Sequence, residues 1–292
     1  MAGELSLGLN EIIERALQED IGTGDLTTLS VVPANIFARC VFLVKEEGVV
    51  AGLPVAARVL KRLDPEVEFR HRVKEGARVA AGTVLAEAVG RARAILSGER
   101  VALNFLRHLS GIATRTARMV DLIKGLRAVV VDTRKTTPGL RALEKYAVRV
   151  GGGKNHRFGL YDGVLIKDNH IRIAGSVKEA VRLVRESAPH TLRVEVETGS
   201  LAEVEEALAA GVDIIMLDNM PVAMMREAVR LVAGRALVEA SGRITEENIR
   251  AVAATGVDLI SAGALTHSVS ALDISLEITE SSVDRGLLTL DR

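Results

Sequence analysis

Apolar residues in the second half of the chain occur in short runs that alternate with amphipathic segments. Runs rich in Val, Ile and Leu occupy residues 129–131, 163–166, 192–196, 213–217, 236–238 and 258–260, and a helix-like segment follows each one. Parallel strands need a crossover connection of this kind, usually a helix. The pattern therefore predicts an α/β barrel that falls short of eight strands.

The first part of the chain follows a different pattern. Apolar residues recur at helical spacing from Leu9 to Leu17 and predict a helix. Asn10 is its expected N-terminal cap, and the helix is expected to end before Gly22. Residues 36–51 are rich in Val and Phe and predict strands that pair with each other, and residues 73–85 predict further short strands. Helices are expected at about 95–108 and 112–124, so an α+β domain precedes the barrel.

Length and composition narrow the class of protein. The chain has 292 residues, of which 48% are apolar and 2% aromatic, with 38 basic and 38 acidic residues. These values suit two packed domains, and they speak against disorder, a membrane protein or a nucleic-acid-binding surface. We read no secretory signal at the N-terminus and expect a cytoplasmic protein. The single cysteine, Cys40, is expected to be a buried apolar residue.

A polar residue stands at or just after the end of each predicted barrel strand. These residues are Asp132, Lys167, Glu197, Asp218, Glu239 and Ser261. In a parallel barrel the carboxyl ends of the strands open on one face, where chemistry takes place. One such residue alone could cap a helix, but six in succession favour a functional site.

Two segments concentrate positive charge near this face. Residues 132–139 place Arg134 and Lys135 in a loop beside Thr133, and residues 151–157 add His156 and Arg157 after three glycines. Arg binds a carboxylate or phosphate in bidentate fashion, and Lys acts as a compact charge. Either segment alone could be solvated surface, but together they predict a pocket for a strongly anionic ligand.

Two further features fit such a ligand. Glu197 and Asp218, on successive strands, could hold Mg²⁺, although each could instead cap a helix. The loops Ser241-Gly242-Arg243 and Ala262-Gly263-Ala264 follow the last two strands, where barrels bind phosphate, although tight turns without a ligand look the same. The sequence has no dinucleotide-binding or P-loop glycine motif and no His or Cys spacing typical of a transition-metal site.

Several sequence blocks, read together, resemble the quinolinate phosphoribosyltransferase family. The blocks run in family order along nearly the whole chain and cover residues 19–28, 99–104, 132–136, 152–157, 165–170 and 216–219, followed by the two glycine loops. Asp-Thr-Arg-Lys-Thr and Lys-Asp-Asn-His are the most specific of them. Arg243 is a departure, because the family often has a small or neutral residue there.

The resemblance implies an architecture. An N-terminal α/β sandwich domain, residues 1–110, would be joined by the C-terminal segment 273–292, and residues 111–272 would form an incomplete, seven-stranded α/β barrel. The family forms homodimers in which an arginine matching Arg100 reaches the barrel of the neighbouring subunit. A hexamer built from three dimers is a larger assembly that the sequence leaves open.

The resemblance also implies a reaction. Quinolinate and 5-phosphoribosyl 1-pyrophosphate would combine with Mg²⁺ to give nicotinate mononucleotide, pyrophosphate and CO₂. Arg100, Thr133, Arg134, His156 and Arg157 would bind quinolinate. The catalytic residues would be Lys135, Lys167, Glu197 and Asp218, which also contact the substrates. The two glycine loops would hold the 5′-phosphate.

Three other functions stay open on the sequence alone. A related phosphoribosyltransferase could act on a different base, which a substrate screen with nicotinate would reveal. Lys167 could be the Schiff-base nucleophile of an aldolase, trapped by borohydride with a carbonyl substrate. A non-catalytic anion-binding protein would bind the ribosyl donor without releasing pyrophosphate.

Overall fold

The computed structural model describes residues 8–288 and residue 290. Its helices are α1 Leu9–Ile21, α2 Leu26–Val31, α3 Leu53–Leu63, α4 Ala92–Leu122, α5 Arg141–Val150, α6 Asp168–Ala174, α7 Val177–Ser187, α8 Leu201–Ala209, α9 Val222–Val232, α10 Ile249–Ala253 and α11 Ala264–His267. Its strands are β1 Phe37–Val44, β2 Gly48–Val49, β3 Glu68–His71, β4 Arg78–Val79, β5 Val84–Arg91, β6 Val129–Val131, β7 Val164–Ile166, β8 Val194–Thr198, β9 Ile214–Asp218, β10 Leu237–Ser241, β11 Leu259–Ser261 and β12 Ile274–Ser282. The described helices do not include one with the length and apolar character needed to cross a bilayer.

The chain forms two compact units. The first contains residues 8–115, 138–151 and 269–288, and the second contains Thr116–Thr137 and Gly152–Ser268. The division differs from the predicted domain limits because residues 111–115, residues 269–272 and helix α5 belong to the first unit. In α5, the Tyr146 hydroxyl hydrogen-bonds to Glu75, and Glu144 lies 2.9 Å from His108, both within the first unit.

An antiparallel sheet organises the first unit, with strand order β12-β1-β5-β3. Along β1 every second residue is buried, from Ala38 to Val44, which is the period of a strand with one face in the core. Strand β12, which is far from β1 in the sequence, pairs with it in antiparallel fashion from Phe37↔Ser282 to Val44↔Ile274. The C-terminal segment therefore completes the sheet of this unit.

Three local predictions for the first unit are wrong. Residues 36–51 do not pair with each other, because β1 pairs with β12 and β5 while β2 pairs with β4. Gly8, at a φ of 82°, rather than Asn10, occupies the position before α1. The two helices expected between residues 95 and 124 are the single helix α4. In the middle of α4, the backbone of Ser270 lies so close to Gly111 that a Cβ on Gly111 would overlap it.

A parallel sheet organises the second unit, with strand order β6-β11-β10-β9-β8-β7. It confirms the predicted incomplete α/β barrel. The described residues contain six such strands, and Lys154 adds one isolated parallel bridge to Val131 instead of a full seventh strand. The serine caps Ser176 and Ser200 begin α7 and α8 by accepting a backbone N–H three residues later. Because all six strands are parallel, their carboxyl ends lie on one face.

Candidate active site

A cavity of about 570 Å³ opens at the carboxyl ends of the parallel strands. The predicted site residues that line it are Thr133, Arg134, Lys135, His156, Arg157, Lys167, Glu197, Asp218, Ser241, Gly242 and Arg243. The lining also includes Leu165, Met216, Asn219, Glu239 and Ser261. The structure therefore brings cations, carboxylates and a glycine loop together at this face, with five of the six strand-end residues in the lining and Asp132 outside it.

Four of the predicted residues are outside this lining. Arg100 is exposed on α4, in the first compact unit. Ala262, Gly263 and Ala264 follow β11 without lining the cavity. Gly263 nevertheless packs against the stem of Lys135, because a Cβ on it would lie 3.0 Å from Lys135 Cδ.

Arg134 and Arg157 form the cationic side of the cavity. The Arg157 guanidinium donates a hydrogen bond to the carbonyl of Gly163 at 3.0 Å. Partial burial lowers the pKa of Arg157, and the positive charge of Arg134 lowers it further. Two like charges held this close favour an anionic partner, because a carboxylate or phosphate between them removes their repulsion.

Lys167, Glu197 and Asp218 form a second group at the ends of β7, β8 and β9. Lys167 directly precedes α6, and its backbone N–H donates to His170 Nδ1 at 2.9 Å. Its Nζ lies 3.5 Å from Glu197 Oε2. Burial raises the pKa of Glu197, Lys167 opposes that rise, and the negative charge of Asp218 adds to it. Asp218 is therefore placed where its charge disfavours the ionised form of Glu197.

The Glu197 and Asp218 pair fits a divalent cation such as Mg²⁺. Both side chains offer oxygen ligands, both line an open cavity, and their mutual repulsion would be relieved by a cation. Mg²⁺ in proteins uses one or two carboxylates and keeps places for water and phosphate oxygens. The donor set is therefore suitable for a metal that also contacts a phosphorylated substrate.

The loop after β10 has an unusual backbone. Gly242 has a φ of 92° and Arg243 a φ of 50°, and Asn219, at the end of the neighbouring strand β9, has a φ of 53°. The Asn219 N–H donates to the Ser241 carbonyl at 2.9 Å, and its side-chain amide donates to Asp218 at 2.7 Å. The Gly242 position leaves no room for a Cβ, which would overlap the Asn219 amide. Asn219 thus contacts both the loop after β10 and the Asp218 carboxylate.

A buried acidic group beneath the cavity was missed as a site by the sequence analysis. The His156 Nε2 lies 3.1 Å from Glu195 Oε2 and 3.6 Å from Glu239 Oε1, and both glutamates are buried. Glu239 was noted only as a strand-end residue, and Glu195 was not named. The signal was available in Val194-Glu195-Val196-Glu197, because residues two apart on a strand point to the same side.

The three side chains converge closely. Their ligand atoms lie within 4.8 Å of one another, a spacing that a metal ion could also use. Burial raises the pKa of Glu239, and the charge of Glu195 raises it further, while a positive charge on His156 would oppose the rise. The backbone N–H of His156 donates to Asp132 Oδ1 at 2.9 Å, which anchors the segment at the end of β6.

Comparison with known families gives two matches. Residues 25–110 match the family described as quinolinate phosphoribosyl transferase, N-terminal domain, and residues 112–277 match the corresponding C-terminal domain. Among curated proteins, the chain is 46% identical over 276 residues to the probable nicotinate-nucleotide pyrophosphorylase [carboxylating] of Bacillus subtilis. That alignment covers 94% of this chain and 95% of the Bacillus protein.

Other relatives agree with these matches. The probable nicotinate-nucleotide pyrophosphorylase [carboxylating] of Synechocystis is 48% identical over 269 residues, 91% of each protein. Among solved structures, NadC from Streptococcus pyogenes has a TM-score of 0.90 at 46% identity, covering 94% of this chain and 96% of that one. The nicotinate-nucleotide pyrophosphorylase of Francisella tularensis has a TM-score of 0.89 at 40% identity, covering 93% and 96%.

Proposed function

The chain belongs to the quinolinate phosphoribosyl transferase family, and from that premise we propose how its cavity carries out the family's reaction. It is a pentosyltransferase of NAD biosynthesis that joins quinolinate to 5-phosphoribosyl 1-pyrophosphate. The products are nicotinate mononucleotide, pyrophosphate and CO₂. The assignment of individual residues to steps is our proposal.

The observation that carries the proposal is the division of the cavity into a cationic and an acidic side. Quinolinate has two carboxylates and the ribosyl donor carries several phosphate charges, so the two substrates repel each other. Arg134, Arg157, Lys135 and Lys167 line the same cavity and can offset that repulsion. Arg134 and Arg157 suit the planar carboxylates of quinolinate because a guanidinium binds them in bidentate fashion. Thr133 directly precedes Arg134 in the loop after β6 and also lines the cavity.

The acidic side suits the ribosyl donor. When pyrophosphate leaves, positive charge develops at the ribose carbon, and Glu197 and Asp218 can stabilise it electrostatically. Lys135 and Lys167 can hold the departing pyrophosphate or the ribose hydroxyls. Bound Mg²⁺ would neutralise the pyrophosphate charge as it builds up, with Glu197 and Asp218 as its protein ligands. Loss of CO₂ then leaves an electron pair on a carbon of the pyridine ring, which the arginines stabilise until a proton from water is added to that carbon to give nicotinate mononucleotide.

The glycine loops would bind the 5′-phosphate. Ser241, Gly242 and Arg243 line the cavity and offer backbone N–H groups and a guanidinium. In the second loop, Ala262-Gly263-Ala264, Gly263 packs against Lys135, whose carbonyl accepts a hydrogen bond from the Thr266 hydroxyl at 2.7 Å. Both loops thus contribute to one end of the cavity, the first through contact and the second through the position of Lys135.

The smallest complete unit in this proposal is a homodimer. Arg100 would enter the cavity of the neighbouring subunit, as the family resemblance implies. The hexamer and the cytoplasmic location stay predictions. Family membership gives no support to the aldolase alternative at Lys167 or to a non-catalytic anion-binding protein.

An assay of product formation tests the function directly. Purified protein with quinolinate, ribosyl donor and Mg²⁺ should form nicotinate mononucleotide, and CO₂ should appear in equal amount. Nicotinate should fail as a substrate, because it lacks the second carboxylate that Arg134 and Arg157 bind. Product formed from nicotinate, but not from quinolinate, would identify a phosphoribosyltransferase for a different base. Chelation of Mg²⁺ should abolish turnover, and added Mg²⁺ should restore it.

A further inference from the structure

The ring of His156 has a polar group of the protein close to each of its two nitrogens. Its Nδ1 faces the backbone N–H of Arg157 at 2.7 Å, and its Nε2 faces Glu195 Oε2 at 3.1 Å. The side chain lines the cavity, although only 14% of its surface is exposed. A histidine that supplied positive charge to quinolinate would carry protons on both nitrogens, so these two contacts decide its role.

The Arg157 backbone N–H fixes the protonation of the ring. A peptide N–H can only donate, so Nδ1 must accept from it and must carry a lone pair. The single ring proton is then on Nε2, where Glu195 accepts it. A doubly protonated ring would set an Nδ1–H against the N–H of Arg157, two donors facing each other. Both contacts are satisfied by the neutral tautomer that carries its proton on Nε2.

Glu239 fits this arrangement from the other side. Its Oε1 lies 3.6 Å from His156 Nε2, beyond ordinary hydrogen-bond distance, and its side chain is buried. The Nε2–H is therefore directed to Glu195 and not shared equally between the two glutamates.

We propose that Glu195 is a positioning residue, which holds His156 as the neutral Nε2–H tautomer so that His156 supports the Arg157 backbone and does not itself offer a cation to quinolinate. Arg157 follows His156 in the chain, and its guanidinium is held at the Gly163 carbonyl. Support at the backbone and at the guanidinium together fixes the direction of the Arg157 side chain. The consequence for quinolinate binding rests on the proposed function, whereas the tautomer does not.

Nuclear magnetic resonance of the ring nitrogens tests the tautomer. The protein is labelled with ¹⁵N-histidine, and the signal that disappears in His156→Gln identifies the residue among the six histidines. We expect one protonated nitrogen, Nε2, and one bare nitrogen, Nδ1, with and without quinolinate. Two protonated nitrogens, or a proton on Nδ1, in either sample would overturn the proposal. The measurement needs no turnover, so a chain that formed no nicotinate mononucleotide would refute the function and leave this result standing.

Kinetics of Glu195 variants test the positioning role. Glu195→Leu removes the acceptor and should raise the quinolinate KM by about tenfold, with kcat and the KM of the ribosyl donor within about twofold. Glu195→Gln keeps an acceptor oxygen and should restore the quinolinate KM and the Nε2–H tautomer. An unchanged KM in Glu195→Leu, or a Glu195→Gln variant as impaired as Glu195→Leu, would contradict the proposal.

The matched control is Val196→Ala. Val196 is buried in the same strand and points to the opposite side of it, so this variant measures general loss of packing. Its quinolinate KM should equal that of the parent protein. A rise there as large as in Glu195→Leu would show that any damage to β8 has the effect, against the proposal. Should Glu195→Leu fail to fold, the tautomer and the quinolinate KM of Glu195→Gln decide the question, since loss of either would overturn the role.

Discussion

The ammonium group of Lys167 lies 3.5 Å from a carboxylate oxygen of Glu197, and the two residues come from the ends of neighbouring strands β7 and β8. This ion pair connects the cationic and acidic sides of the cavity. About half of the Lys167 side chain is exposed, which leaves it room to contact a ligand as well. We infer that the pair holds both side chains in place until the substrates arrive.

Removing either member should impair the chemical step. We expect Lys167→Met and Glu197→Gln each to lower kcat by roughly 10²-fold, because each removes a charge aimed at the reacting groups. The double variant should lose less than the product of the two factors, since each partner alone is left unpaired. Steady-state kinetics of the four proteins measures this coupling. Lys178→Met, on an exposed lysine of α7, is the control and should keep the parent kcat.

The loop at Gly242 should not tolerate a side chain. Gly242→Ala places a Cβ on the Asn219 amide and in an unfavourable backbone region at a φ of 92°. Movement of Asn219 would release Asp218, so the KM of the ribosyl donor should rise by at least about tenfold and kcat should fall.

The control is Gly234→Ala, at a position with a similar φ of 76° and nothing within 4 Å of the added Cβ. It should cost about 1 kcal/mol of stability and leave the kinetics intact. Equal kinetics in the two variants would refute the role of this contact.

The sequence predicted the barrel and most of the cavity because both depend on local periodicity. Each parallel strand is an apolar run with a polar residue at its end, and parallel pairing alone brings those ends together. Lys167, Glu197 and Asp218 were found in this way. Arg100 could be suggested only by the family resemblance, because an exposed arginine on a helix has no local signal for binding.

The remaining features depend on contacts between distant parts of the chain. The pairing of β1 with β12 joins residues 37 and 282, and no property of residues 36–51 specifies that partner. The two helices expected at about 95–108 and 112–124 are one helix, and the close approach of Ser270 to Gly111 within it depends on a distant part of the chain. Glu195 was overlooked because a carboxylate inside an apolar strand gains meaning only when His156 is placed opposite it.

Arg134 and Arg157 should act on quinolinate affinity. Arg134→Ala and Arg157→Ala should each raise the quinolinate KM by more than about tenfold without lowering the melting temperature by more than a few degrees. Lysine at position 157 should restore only part of the affinity, because an ammonium cannot bind a carboxylate in bidentate fashion. Calorimetric titration of quinolinate measures the effect without turnover. An unchanged affinity in either alanine variant would show that the arginine does not bind quinolinate.

Shared sites in a dimer should allow two inactive variants to restore each other. Arg100→Ala and Lys135→Ala should each be inactive alone. Random exchange makes half of the dimers mixed, and each mixed dimer has one intact site, so activity should recover to about a quarter of the parent value. Lys135→Ala mixed with Lys167→Met is the control, since both residues line the same chain's cavity and every mixed site lacks one of them. Recovery in the control, or none in the test despite demonstrated exchange, would contradict an active site shared between subunits.

Glu87 should make the stability of the first unit depend on acidic pH. It lies on β5 with 9% of its surface exposed, receives two hydrogen bonds from Arg72 at 2.8 and 2.9 Å, and lies 3.1 Å from Arg39. The bonds from Arg72, and then those from Arg39, lower the pKa of Glu87 against the opposing effect of burial. A carboxylate whose pKa is lower in the folded state stabilises the fold above its unfolded pKa, and the stabilisation is lost as pH falls through the folded value.

Glu87→Gln should therefore cost about 1–3 kcal/mol at pH 7, and the difference from the parent should shrink below about pH 4. Urea unfolding across this range measures it. Glu68→Gln, which breaks an exposed ion pair with Arg285, is the control and should change stability by less than about 1 kcal/mol at every pH. A Glu87→Gln penalty that stays constant from pH 7 to pH 3 would rule out the ionised carboxylate as its source.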